Sequence, residues 1–378
     1  MRALPRSSPT FLNRTVAGAN RRGSRRRVIG VGAPICIRAA LRLAIRHPDN
    51  AALRRNLSSG RATGWQWRNA NILVDHAAGG TNSPGATPGA FVVSAGKRMR
   101  YDVPASALAA CVTGYAIYID EGRAPLANWF LPAQPMIVLL LDAGPVTVHL
   151  RKQTIADLDR ATLWGPTSQA FRIETRGGIS VGIGLSAEGW IRLTGRSAKD
   201  ALDQVTPLVQ TMQPGAVQAL LGTLDALDDD AAIAPALDRL FSDGFGPAPR
   251  GADSARRLAK LILTEDVINV ARVAERLGLD IWTLGRLSTR YFGMPVKSLL
   301  LRARFIRSFT RWLADGEPVS YHGIDESYHG ASHFLRDAAR YLGSTPRRFA
   351  KQETTFLRAS IRARHAVLGA AAHVLHRF

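Results

Sequence analysis

Two hydrophobic rhythms follow one another along the chain. Between residues 115 and 185 apolar residues come in short runs: Tyr115–Asp120 (YAIYID), Met136–Leu141 (MIVLLL), Val146–Leu150 (VTVHL), Phe171–Thr175 (FRIET) and Ile179–Leu185 (ISVGIGL). They are rich in β-branched and aromatic residues, which suit a pleated, buried surface. Gly122–Asn128, Leu131–Pro135, Asp142–Pro145, Gly165–Thr167 and Gly177–Gly178 separate them. Short strands at this spacing predict a β-barrel or jelly roll. From Trp190 the pattern turns helical, over Trp190–Leu193, Ala198–Val205, Val209–Met212, Ala216–Leu227 and Ala234–Phe241. Gly244–Gly251, with Pro247 and Pro249, reads as a linker.

Beyond it the helical signals sharpen. Val270, Val273, Ala274 and Leu277 share one face of a helix over Asn269–Leu277, and Gly278 stops it. Asp280 is placed to cap a second helix, which carries Leu284, Leu287 and Ser288 on one face and ends at Gly293. Helix, glycine-containing turn, helix is the helix-turn-helix pattern, whose second helix reads a DNA major groove. The face away from Leu284 and Leu287 presents Trp282, Thr283, Gly285, Arg286, Thr289 and Arg290. Arg286 is the leading candidate for a base contact, because a guanidinium bonds guanine through two donors. The alternative is a phosphate contact or a solvated arginine. Trp282 either packs on sugar and thymine methyl groups or is a core residue.

A long helix, Val296–Leu313, follows. Leu299, Leu300, Ala303, Ile306, Phe309 and Leu313 form its stripe, and Arg302, Arg304, Arg307 and Arg311 make it basic elsewhere. Asp315–Pro318 ends it. A weak short helix at His322–Ser327 and a stronger one at Ala331–Tyr341, closed by Gly343, make a second unit. Ser332, His333, Arg336 and Arg340 lie in its reading helix, with Phe334 expected in the core. No His or Cys partner stands at ligand spacing from His333, so a packed or DNA-facing role is expected over metal binding. Arg302, Arg304, Arg307, Arg347, Arg348 and Lys351 are expected to hold phosphates.

SHFLRDAARYLGSTPRRF resembles the second-unit signature of the AraC/XylS family of bacterial transcription regulators. Ser332, His333, Phe334, Arg336, Gly343, Thr345, Pro346 and Phe349 match. In the first unit Ala274, Leu277, Leu284, Arg286, Leu287 and Gly293 match. The resemblance covers about 85 residues. Gly330 replaces the usual aspartate before Ser-His-Phe, Ser327 a common turn glycine, and Ala338 and Ala339 an aromatic and a basic residue. A lost cap and a lost aromatic weaken the second unit, so the first is expected to carry more of the sequence reading. GYAIYIDEGRAPLANWFLP and WGPT…GGISVGIGLSAEGW are similar to the cupin-like sensor halves of such regulators. The resemblance implies duplex DNA as partner, RNA polymerase, a small-molecule effector and a homodimer as further partners, no cofactor, and a cytoplasmic location.

Charge is divided unevenly over the 378 residues. Of the formal +21, residues 1–100 carry 18 basic against 2 acidic residues, 101–255 carry 11 against 17, and 256–378 carry 21 against 10. A basic C-terminal region fits phosphate contact, and the acidic middle argues for a separate domain. The expected organisation is a basic extension over 1–95, a β-rich sensor domain with C-terminal helices over 96–245, a linker over 246–255, an all-α double helix-turn-helix domain over 256–352 and a helical tail over 353–378. For the extension three readings stay open: a disordered basic arm, sequence upstream of the true start, or a nucleic-acid or membrane arm. Ser24–Gly30 superficially resembles a twin-arginine signal, Ile35–Ile45 could form a basic amphipathic helix, and no run of about 18 apolar residues predicts a membrane span. Cys36 and Cys111, with no CxxC, suit a reducing compartment.

The β region offers little to catalysis. His149 is the one histidine between 101 and 255. A metal cupin needs two or three, and no GxSxG elbow occurs. The glycines of GGISVGIGL open no helix, so they are not a dinucleotide fingerprint. Trp129, Trp164, Phe171 and Tyr118 either line an apolar pocket or belong to the core, and the helices at Ala216–Phe241 either form a dimer contact or pack on the barrel. The pattern points to a non-enzyme: a transcription regulator inserting two reading helices into successive major-groove segments. The competing readings are a β-domain enzyme with a nucleic-acid-binding tail and a non-specific nucleoid-binding protein.

Overall fold

The computed structural model describes residues 83–368 except 152, 265–268, 315, 317–320, 322–327 and 329. The extension up to residue 82, its Ile35–Ile45 helix and the His322–Ser327 helix lie outside the described residues.

Eleven strands are described: β1 (Val92–Ser94), β2 (Lys97–Asp102), β3 (Val112–Asp120), β4 (Leu126–Phe130), β5 (Met136–Leu141), β6 (Thr147–Leu150), β7 (Gln153–Ile155), β8 (Ala161–Trp164), β9 (Phe171–Thr175), β10 (Gly178–Leu185) and β11 (Val205–Pro207). They form two antiparallel sheets, ordered β1-β2-β3-β10-β5-β8-β11 and β4-β9-β6-β7. β5 and β9 fall where the apolar runs predict. β2 and β4 do not show in that pattern. In β2, Arg100 and Asp102 are buried because they bond each other, Nε to Oδ2 at 2.6 Å, where Asp230 adds a second carboxylate. Pairing removes the cost that would otherwise keep charges out of a strand interior.

β10 explains why one sheet has two buried faces. Ile179, Val181 and Ile183 stand beside Ile119, Ile117 and Tyr115 of β3 and Leu141, Leu139 and Ile137 of β5. That face packs against helices α1 (Ala187–Thr194), α2 (Pro214–Asp225) and α3 (Ile233–Phe241) in one continuous core. The Tyr115 hydroxyl donates to Asp238 of α3 at 2.7 Å. The helices at 214–241 thus pack on the sheet. The alternate face of β10 carries Gly178, Ser180, Gly182 and Gly184, with almost no side-chain volume, and it turns toward the second sheet. The stretch 198–205 is not one helix but a short 3₁₀ turn, Ala198–Ala201, leading into β11.

The C-terminal region is helical: α4 (Ala252–Thr264), α5 (Val270–Leu277), α6 (Ile281–Phe292), α7 (Val296–Ala314), α8 (Ala331–Leu342), α9 (Pro346–Ala350) and α10 (Thr355–Leu368). Antiparallel β-sheets followed by helices is the α+β architecture that the sequence predicts. α7 is buried on nearly every side, by α4, α6, α8 and α10. α10 leaves the helical region and lies across β1, β2 and β4, where Phe356, Ala359 and Ala363 pack with Met99 and Tyr101. Among the described residues no helix is long and apolar enough to cross a membrane.

Candidate nucleic-acid interface and the adjoining cavity

The first unit is built by local signals. Asn269 caps α5 through the N–H of Arg272 at 3.2 Å, and Gly278 ends it in the left-handed region, φ 66°. Two residues later Asp280 caps α6, its carboxylate accepting from the N–H of Thr283 at 2.8 Å. That bond holds the Asp280 carboxyl below its ordinary value, since it favours the charged form. Leu284 and Ser288 are fully buried, and the Ser288 hydroxyl donates to Met294 O at 2.8 Å. α5, the turn and α6 are a helix-turn-helix.

The opposite face of α6 is open. Trp282 is 69% exposed, which rules out the core reading. Arg286 stacks over its ring at 4.6 Å and Arg290 follows one turn on, so Trp282, Arg286 and Arg290 form one exposed stripe. Thr283 is half-buried beside it.

In the second unit α8 presents Ser332, His333, Arg336 and Arg340, all exposed, while Phe334 and Ala338 are buried among aromatic rings. Gly330 precedes α8 at φ 130° without a side-chain cap, so the cap that aspartate would give is absent. Thr345 caps α9 through the N–H of Arg348 at 3.3 Å, and the exposed Arg347 lies over the Tyr321 ring at 5.5 Å. None of Arg286, Arg290, Arg336, Arg340 or Arg347 meets a carboxylate among the described residues.

The arginines of α7 are different, and here the expectation of phosphate contacts is corrected. Arg304 is buried, bonds Asp337 at 2.9 Å and lies over the Tyr328 ring at 4.0 Å. Arg307 is buried and reaches Ile262 O at 3.5 Å. Arg302 is 1% exposed. Its Nε and Nη1 have no acceptor among the described residues, and burial pulls its guanidinium down to about 10. Packing on all sides of α7 takes these three out of reach of a phosphate. Arg347 and Arg348 of α9 and Lys351 just beyond it remain exposed.

Between the two sheets lies a cavity of about 180 Å³. The glycine face of β10 leaves it open. Tyr118, Phe130, Trp164 and Phe171 wall it, and Phe356, Leu357, Ser360 and Arg364 of α10 close its flank. Tyr118, Trp164 and Phe171 therefore line a pocket, as one of the two sequence readings has it. Trp129 does not: strand alternation turns it outward, against Phe349 of α9 at 5.8 Å. Burial pushes the Tyr118 phenol up, against the pull of Arg364 and a hydrogen bond with Ser360. His149 faces away from the cavity and meets Glu174 at 3.2 Å and Thr154 at 3.1 Å. Among the described residues no cluster of His, Cys, Asp and Glu could hold a metal ion. Nothing in the sequence pattern marks α10 as a wall. The one legible signal for the cavity is the run of glycines on alternate positions of a strand.

No family model matches the chain, and no curated protein does. Among solved structures it is similar to apo ToxT of Vibrio cholerae, with 13% identity and a TM-score of 0.37 over 67% of this chain and 100% of that one. Wild-type ToxT crystallised with an unsaturated fatty acid gives 14% and 0.37 over 65% and 96%. The AraC-like transcriptional activator CuxR gives 10% and 0.24 over 51% and 76%. Identities this low and superpositions this loose transfer no function.

Proposed function

We propose that the chain is a sequence-specific DNA-binding transcription regulator, with α6 and α8 inserted into successive major-groove segments on one face of the duplex. The observation that carries this is the sorting of its arginines. Arg302, Arg304 and Arg307 of α7 are buried and only Arg311 near its end is exposed, whereas those on the outer faces of α6, α8 and α9 are exposed and meet no carboxylate among the described residues. On a chain with a surplus of positive charge, such arginines suit phosphates and base edges. Trp282, Thr283, Arg286 and Arg290 read through the first unit, and Ser332, His333, Arg336 and Arg340 through the second. Arg347 holds phosphate. α7, about 28 Å long at 1.5 Å per residue, sets the separation of the two units. The β region serves as the regulatory half, through an effector in its cavity or through a homodimer, and RNA polymerase is the downstream partner in a cytoplasmic setting.

The test is footprinting with the full chain on genomic DNA, under excess random competitor. A regulator keeps discrete footprints of two adjacent major-groove segments. Tight binding without a footprint overturns the reading in favour of a non-specific nucleoid-binding protein. For Arg347→Ala the expected result is weaker binding to all sequences alike and a salt slope lower by about one.

A further inference from the structure

α6 carries two neighbouring rows of residues outside its packed face, and the function proposed above draws on one of them. Residues four apart stand above one another on a helix. Trp282, Arg286 and Arg290 make the first row; Ile281, Gly285 and Thr289 make the second. Ile281 is 58% exposed. A lone exposed apolar side chain is ordinary, and Val92 and Val209 are of that kind. Ile281 differs, because Trp282 beside it is exposed as well, and the ring of Trp282 is already engaged by the Arg286 guanidinium. Ile281 is the apolar group left uncovered. Gly285 is the second anomaly. It lies in mid-helix, where glycine weakens the helix more than any residue except proline. Neither packing nor backbone asks for it: the conformation is helical, and a Cβ there would have no neighbouring atom within 4 Å. A glycine kept in such a place suits close approach by something outside the chain. Thr289, half-buried one turn on, brings a methyl group to the end of the row.

We infer that the row Ile281–Gly285–Thr289 recognises the 5-methyl group of a thymine beside the base pair that Arg286 reads. This rests on the DNA-reading role proposed above and adds the chemistry that the site selects. The occupant follows from what surrounds the row. Arg286 and Arg290 flank it with positive charge that meets no carboxylate among the described residues, which selects a polyanion. A reading helix enters the major groove by its N-terminal residues. The thymine methyl is the apolar group that base edges present there. Ile281, at the first helical position, supplies an apolar wall. The missing side chain at Gly285 supplies depth, and Thr289 closes the far end. A methyl group offers nothing to a hydrogen-bonding side chain, so this row reads what the arginine row cannot. The first unit then distinguishes thymine from cytosine by shape, next to a guanine distinguished by charge and hydrogen bonding.

Binding of the full chain to its footprinted site is measured by fluorescence anisotropy at one salt concentration. Each thymine under the first unit is replaced in turn by deoxyuridine, which removes the methyl group and leaves the pairing edge intact. At the thymine that the row reads, affinity is expected to fall about fourfold, the worth of one buried methyl. Cytosine at that position binds more weakly still, and 5-methylcytosine there recovers about fourfold over cytosine. In Gly285→Met, which fills the hollow, and in Ile281→Ser, the preference for thymine over deoxyuridine disappears. Methionine suits a helix better than glycine, so a urea midpoint for Gly285→Met at or above that of the wild type shows that lost discrimination is not lost fold. Arg286→Ala weakens the thymine and deoxyuridine sites alike and keeps their ratio. A loss below about twofold at every thymine of the first half-site overturns the inference and leaves the Ile281–Trp282 pair to a protein contact. A thymine preference that survives both Gly285→Met and Ile281→Ser overturns it as well. The footprint judges DNA reading separately. If it persists while deoxyuridine is neutral, DNA reading stands and the thymine contact falls; if there is no footprint, both fall.

Discussion

Arg302→Met is expected to make the protein more stable. The guanidinium sits in the middle of α7 at 1% exposure, with Asp203 and Tyr341 as its electrostatic neighbours but neither bonded to it. Two of its donors, Nε and Nη1, are unmet. Each unmet donor costs about 1–3 kcal/mol, a burden of about 2–6 kcal/mol. Methionine keeps most of the aliphatic stem, and the volume it fails to fill costs about 1–2 kcal/mol. The balance is a gain of about 1–4 kcal/mol, in the range seen when buried charges give way to apolar side chains. With a urea slope on the order of 2–3 kcal/mol per molar, the midpoint rises by roughly 0.3–2 M at pH 8. The dependence on pH gives a second check. Burial lowers the folded-state pKa of Arg302 from its ordinary value to about 10. Between these values the unfolded chain binds more protons, so wild-type stability rises with pH. The burden is full below about pH 10 and is relieved above it, so the advantage of the variant is complete at pH 8 and shrinks beyond pH 10. A midpoint that falls on Arg302→Met at pH 8 refutes the reasoning, because the guanidinium would then be gaining more from its surroundings than burial takes away.

Three further outcomes follow from the same geometry. On a footprinted site, Arg286→Ala and Arg336→Ala should each cost about 1–3 kcal/mol, the first more than the second because α8 lacks a side-chain cap; intact affinity in the first with loss in the second would reverse the ranking. Asp280→Ala removes the cap of α6 and should destabilise the protein, read as a lower urea midpoint together with weaker DNA binding. Cys111 is buried and its thiol is pushed up to about 11, so at pH 8 it should resist a thiol reagent until the protein unfolds; rapid labelling in the native state would contradict its placement.

What could be read from the sequence was what local chemistry decides. α5 and α6 begin at capping side chains and end at glycines in the left-handed region, signals carried within a few residues. β5 and β9 show because their own side chains are apolar. β2 and β4 were hidden for a shared reason: their polar residues are buried by partners far along the chain. Arg100 meets Asp230, and Asn128 meets the backbone of Phe356. The same holds at the candidate site. The exposed stripe of α6 follows from its periodicity. The withdrawal of Arg302, Arg304 and Arg307 from the surface does not, since a helix with one apolar stripe gives no sign that the rest of the molecule covers its other faces too.

α6 and α8 share a further feature, and it changes what sets their spacing. α8 ends against the β region: Gln169 Nε2 donates to Arg340 O at 2.9 Å and the N–H of Ala170 to Tyr341 O at 2.7 Å. α6 ends against it as well. The Ser197 hydroxyl reaches Arg290 O at 3.5 Å, and a side chain at Gly293 would strike Ala198 O and Pro166. The last carbonyls of a helix have no partner within it, so these contacts hold each helix by its C-terminal end and leave the N-terminal halves, with Trp282, Arg286, Ser332 and Arg336, projecting outward. Spacing is then fixed from two sides, by α7 and by the loops around 166–170 and 197–201. Those loops flank β8, β9 and β11, and β8 and β9 supply Trp164 and Phe171 to the cavity wall. The same loops therefore tie the C-terminal ends of α6 and α8 to strands that carry two of the cavity's rings.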